Sequence, residues 1–218
     1  MKIIAADIYD TDLHPWKPPI ILRLISDEGI YGLGEFPLAY GIGRQAAIAM
    51  TKEMVEHYVI GADPMQIEAM WHTLFRRTFW GQGGGPVVYG GISTIDEALW
   101  DIKGKALGRP IYDLLGGKVR DSIAVYANGW CGEWAPGNNR VPATVEEFGE
   151  FAAQVVALGY SGLKFNPFVG PRGGPDHERV LEPWRADLGY ARVKAVRDAV
   201  GPDVAIMVEC HGWFGPAS

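Results

Sequence analysis

Two stretches of the chain place chemically capable side chains two positions apart at the end of an apolar run: Lys164 and Asn166 in GLKFNPF (162–168), and Glu209 and His211 in MVECHGWF (207–214). In an extended strand residues i and i+2 point to one side, so each pair is expected to share a face. The four side chains supply a cation, a hydrogen-bonding amide, a hard oxygen ligand for a divalent metal and a group that titrates near neutrality. Singly, each has a plain structural account: a lysine stem reaching water, an asparagine opening the turn before Pro167, and two loop residues. Their recurrence at equivalent strand ends points instead to catalysis, because the C-terminal ends of parallel barrel strands converge on one active-site face.

The elements that must carry these pairs follow from the pattern after about Asp121. Strand SIAVYAN (122–128), helix TVEEFGEFAAQVVALG (144–159), strand YSGLKFN (160–166), the Pro/Gly-rich loop PFVGPRGGPDHE (167–178), helix DLGYARVKAVRDAVG (187–201) and strand DVAIMVEC (203–210) alternate as β/α units on a common parallel sheet. The first half is different. KIIAADIYD, PIILRLISDEG and IYGLGEFPL read as an antiparallel meander, followed by helices over 44–61 and 65–80. GQGGGPVVYGG (81–91) follows a helix, lacks Gly-Lys-Ser/Thr and reads as a loop rather than a phosphate cradle. The helix STIDEALWDIKGKALGRP (93–110) is expected to start at a capping box of Thr94 and Glu97 and to stop at Gly108 and Pro110. A domain boundary is expected at GGKVRD (116–121), dividing the chain into 1–117 and 118–218.

Composition narrows the class. With 48% apolar residues the chain can bury a core, and 20 Lys and Arg against 26 Asp and Glu leave a net charge of -6, which disfavours nucleic acid as a partner. Two isolated cysteines indicate neither a disulfide scaffold nor a zinc site and suit a cytoplasmic setting. No run approaches the length of a membrane span, so no membrane partner is expected.

STIDEALWDIKGKALGRPIYDLLGG (93–117), VYAN, GLKFNPF and VECHGWF (208–214), in this order, resemble the enolase superfamily and within it the mandelate racemase/muconate lactonizing enzyme family. The resemblance implies an α+β capping domain, meander plus helices, followed by the first part of a TIM-like (β/α)7β barrel. It also implies abstraction of the proton α to a carboxylate, aided by one Mg²⁺ per site, with Glu209 as a metal ligand. The second lysine of that family's Lys-x-Lys motif is replaced by Asn166, and an amide cannot abstract a proton. The pattern therefore resembles the acid-sugar dehydratases of the galactonate dehydratase kind. On that pattern His211 is the general acid for the departing β-hydroxyl, Lys164 neutralises the substrate carboxylate and Asn166 orients it. A cycloisomerase, racemase or epimerase of the same superfamily, or a non-catalytic remnant, are the alternatives. The substrate loops match TDLHPWKPP (11–19) and FWGQGGGPVVYGG (79–91), making His14, Trp16 and Tyr89 candidates for contact with a small sugar acid, and a symmetric homo-oligomer is implied. A complete barrel takes about 200 residues, so residues 1–218 are expected to be part of a longer protein. The remaining metal carboxylates and the His/Asp pair that takes the α-proton would then lie beyond Ser218.

Overall fold

The computed structural model describes residues 1–13, 18–37, 42–131, 140–169, 179–216 and 218. They form two compact units, Met1–Val119 and Arg120–Ser218.

In the first unit, β1 (Ile3–Asp10), β2 (Ile20–Ser26) and β3 (Tyr31–Glu35) pair antiparallel in that order, the meander expected from the sequence. Along β2, Ile20, Leu22 and Leu24 are buried and the residues between them are not, the period-2 alternation of a sheet with one covered face. The cover comes from α1 (Arg44–Met54), which continues as a π-helical turn over Val55–Val59, from α2 (Ile67–Arg77) and from α3 (Gly85–Leu107), with a short α4 (Ile111–Leu114) after it. Ile95, Leu99 and Ile102 of α3 are at most 2% exposed and join Leu22 and Leu24 in one core.

The start of α3 corrects two expectations. Residues 85–91 are helical rather than loop, and Thr94 lies inside the helix with its hydroxyl donating to the Gly90 carbonyl at 2.7 Å. Glu97 accepts the Glu35 amide at 2.9 Å, and Asp101 accepts that of Leu33 at 2.9 Å. These carboxylates cover the open edge of β3 instead of capping a helix. The glycines mark close packing: a Cβ on Gly91 would stand 2.5 Å from Thr51 Oγ1, and one on Gly32 or Gly34 would stand 2.0 Å from a carbonyl oxygen of α3.

The second unit holds parallel strands β4 (Ala127–Asn128), β5 (Gly162–Phe165) and β6 (Ala205–Val208), ordered β4-β5-β6. The helices α5 (Val145–Val156) and α6 (Pro183–Val200) connect them. β4 is shorter than the expected strand 122–128. Only Ala127 and Asn128 pair with β5, and Ile123 and Val125 before them are 78% and 67% exposed. Trp130, Phe148, Phe165 and Val196 fill the core between sheet and helices.

α5 begins at a capping box in which Thr144 and Glu147 exchange side-chain-to-backbone bonds. The bidentate Arg140 guanidinium, then the Ala143 and Thr144 amides, hold the Glu147 carboxyl down at about 2. Its folded pKa is depressed, so its contribution to stability is fully present above the ordinary value of 4.5 and is lost as pH falls towards about 2. A carboxyl NMR titration should find the Glu147 midpoint near 2; a midpoint near 4.5 would mean that the Arg140 pair is not formed in solution.

Candidate active site

Parallel pairing sets β4, β5 and β6 side by side with Asn128 opposite Lys164 and Lys164 opposite Met207. Leu163 and Phe165 point into the core at 0% and 2% exposure, which sends Lys164 to the other face. Beyond the last paired residue of β6, the Glu209 amide still donates to the Phe165 carbonyl at 3.0 Å, so Glu209 is held beside the end of β5. Lys164 Nζ consequently lies 3.8 Å from Glu209 Oε2, and it stands 5.6 Å from the centre of the Tyr126 ring. The cation and the candidate metal ligand are thus brought together.

The other two side chains depart from simple alternation. Asn166 is 6% exposed, and its Oδ1 accepts the Phe168 amide at 2.9 Å, closing a turn before the chain leaves the strand. Its Nδ2 is buried without a hydrogen-bond partner among the described residues. His211 does not follow Glu209 along an extended strand. It takes φ 50°, followed by Gly212 at 64°, so the chain turns sharply and the imidazole is exposed. The ring stacks on Trp213 at 5.5 Å and 23°. This turn is closed by the His211 amide donating to Glu209 Oε1 at 2.7 Å.

That bond is the main reason the Glu209 carboxyl lies below its ordinary range. Partial burial opposes it, and the His211 and Lys164 charges and the Cys210 amide add to it. The carboxylate is therefore ionised at neutral pH, as a hard oxygen donor for a divalent cation must be. Glu209 fits as one ligand of such an ion. Among the described residues no three His, Cys, Asp or Glu side chains gather to hold one.

Of the candidate substrate contacts, His14 and Trp16 lie outside the described residues. Tyr89 sits in the first turns of α3, where its hydroxyl donates to the Gln82 carbonyl at 3.0 Å and its ring lies 6.3 Å from Phe75. From the same stretch, Trp80 rather than Tyr89 lines a cavity of about 170 Å³, together with Met50, Glu53, His57 and Tyr58. Two residues that sequence reasoning passed over are Tyr126, beneath Lys164, and Asn128, level with it across the sheet. The signal for both was present: Tyr126 and Asn128 stand two positions apart in VYAN, as Lys164 and Asn166 do in GLKFNPF, with Asn128 level with Lys164.

Comparison with known proteins gives this geometry a context. Residues 16–116 match the model of the mandelate racemase / muconate lactonizing enzyme N-terminal domain, and residues 147–218 match that of the enolase C-terminal domain-like family. The chain is 36% identical over 216 residues to a D-galactonate dehydratase of Xanthomonas oryzae pv. oryzae, covering 99% of this chain and 50% of that protein. It is 37% identical over 207 residues to a D-gluconate dehydratase of Thermoproteus tenax, covering 94% of this chain and 38% of that protein. A solved member of the enolase superfamily from Salmonella Typhimurium superposes with a TM-score of 0.90 at 40% identity, over 98% of this chain and 55% of that one. The chain thus spans half or less of the length of these two curated relatives. None of its described helices is long and apolar enough to cross a membrane.

Proposed function

Because the chain belongs to the mandelate racemase / muconate lactonizing enzyme family of the enolase superfamily, we propose that it is part of an acid-sugar dehydratase, a lyase that removes water from an aldonate or aldarate to give a 2-keto-3-deoxy acid. The observation that carries the reading is the meeting of Lys164 with Glu209 at the ends of β5 and β6, flanked by an amide at 166 and an imidazole at 211. Glu209 would be one ligand of Mg²⁺, which, when bound, supplies positive charge beside the substrate carboxylate.

In this reading the Lys164 ammonium and the Asn166 Nδ2, which has no hydrogen-bond partner among the described residues, donate to the substrate carboxylate and fix its orientation. The α C–H bond breaks, its proton passing to a base other than Asn166, because an amide has no basic lone pair to offer. His211 delivers a proton to the β-hydroxyl as the C–O bond breaks, water leaves, and the enol product tautomerises to the 2-keto acid. The exposed, turn-borne imidazole suits a group that must exchange protons with solvent between turnovers. Racemisation by opposed bases is less well served, since residue 166 cannot be one of them.

The test is a screen of the purified protein with Mg²⁺ against aldonates and aldarates, scoring 2-keto-3-deoxy product. Product from galactonate, gluconate or a stereoisomer is the expected result. Isomerised but undehydrated acid would move the assignment to an epimerase, and no change in any acid by the protein with its remaining barrel strands present would overturn the lyase reading.

A further inference from the structure

The buried stripe of α6 is unusual: Arg185, Gly189, Arg192 and Val196, at helical spacing, face inward. Val196 belongs to the aromatic core, but the first three face the two loops that carry the candidate site. Arg192 is 4% exposed and donates through Nη1 to the carbonyls of Pro167 at 2.6 Å and Val169 at 3.0 Å, with its guanidinium 4.7 Å over the Phe148 ring. A leucine or methionine there would avoid the desolvation of a charge but would leave those two carbonyls without their donor. Gly189 is the seat of Phe168: a Cβ at 189 would stand 2.5 Å from Phe168 Cε1. Phe168 in turn meets Phe214 edge to face at 4.9 Å, and Arg185 stands 5.9 Å from the Phe214 ring. One residue further on, the Gly215 amide donates to the Arg179 carbonyl at 2.7 Å, just ahead of α6.

The path is continuous. Asn166 Oδ1 holds the Phe168 amide, Phe168 fills the notch at Gly189 and touches Phe214, and Phe214 follows the stacked pair of Trp213 and His211. We infer that Gly189 and Arg192 are positioning residues that, through Phe168 and Phe214, lock the Asn166 loop and the His211 loop into one geometry. The relevance of the lock to catalysis rests on the dehydratase reading, in which both loops serve one substrate, but the lock itself is a property of the backbone. An activity screen can therefore fail while the lock stands, and the reverse.

The experiment is residue-resolved amide hydrogen exchange on the full chain and four variants: Gly189→Ala, Phe214→Ala, their combination, and Val196→Ala as a core substitution on the same helix. Gly189→Ala should speed exchange about ten-fold at Phe168 and also at His211 and Gly215, while the amides of β5 change little. In the Phe214→Ala background its effect should persist at Phe168 and no longer reach His211 and Gly215. Should Gly189→Ala fail to fold, Arg192→Met adds no branching atoms, removes the carbonyl donors and must give the same two-loop pattern. An effect confined to Phe168, one spread evenly over the second unit as in Val196→Ala, or one at His211 that survives the loss of Phe214, overturns the inference.

Discussion

Replacing His211 with asparagine should lower the rate of dehydration by about 10²–10⁴-fold, the range that general acid catalysis contributes. It should leave exchange of the substrate α-proton with solvent deuterium intact. Asparagine is the informative replacement because residue 211 sits at φ 50°, a conformation that asparagine tolerates better than most side chains. The turn that carries Glu209, closed by the residue 211 backbone amide and not its side chain, should therefore persist. If His211 only protonates the leaving hydroxyl, the variant still forms the carbanionic state and washes deuterium into unreacted acid, which mass spectrometry or NMR would detect. Loss of both dehydration and wash-in would make His211 the base. Undiminished dehydration would mean that the imidazole has no part in the chemistry and that its stacking on Trp213 is structural.

What could be read from the sequence was what depends on neighbours along the chain. The apolar runs at 160–166 and 203–210, separated by a helical pattern, dictate parallel strands, and their register brings Lys164 to Glu209. His211 broke the rule because two successive left-handed residues end the strand before the i, i+2 relation applies. Thr94 and Glu97 matched a local capping pattern, yet Glu97 is used by the backbone of β3, more than sixty positions away in the chain. Gly90 and Gly91 carry the composition of a loop, but glycine also permits helices to pack closely, and here burial outweighs propensity. Gly189 and Arg192 gave no signal at all, since their partners, Phe168 and the carbonyls of Pro167 and Val169, lie some twenty residues earlier. The juxtaposition of Lys164 and Glu209 was therefore legible, while the residues that hold the loops in place were not.

The second large effect is expected within the first unit, where β3 meets α3. Gly34→Ala should destabilise the first unit by roughly 3 kcal/mol or more, at the upper end of what overpacking costs. The reason is geometric. The added Cβ would stand 2.0 Å from the Thr94 carbonyl oxygen and 2.9 Å from its carbon, both backbone atoms of a helix whose Ile95, Leu99 and Ile102 anchor the core. No rotamer change can relieve such a contact, so the helix must lift from the sheet and open the interface it seals. Gly32→Ala, 2.0 Å from the Ala98 carbonyl oxygen, should behave alike, because both glycines face the helix at i, i+2 on one strand. Gly83→Ala is the control: among the described residues a Cβ there meets nothing within 4 Å and its φ is not positive, so its effect should stay within about 0.5 kcal/mol. Urea titrations followed by circular dichroism would rank the three. Since a whole domain is stable by only about 5–15 kcal/mol, either strand variant removes a large share of the total. A midpoint for Gly34→Ala equal to that of Gly83→Ala would show that β3 and α3 are not in this contact in solution.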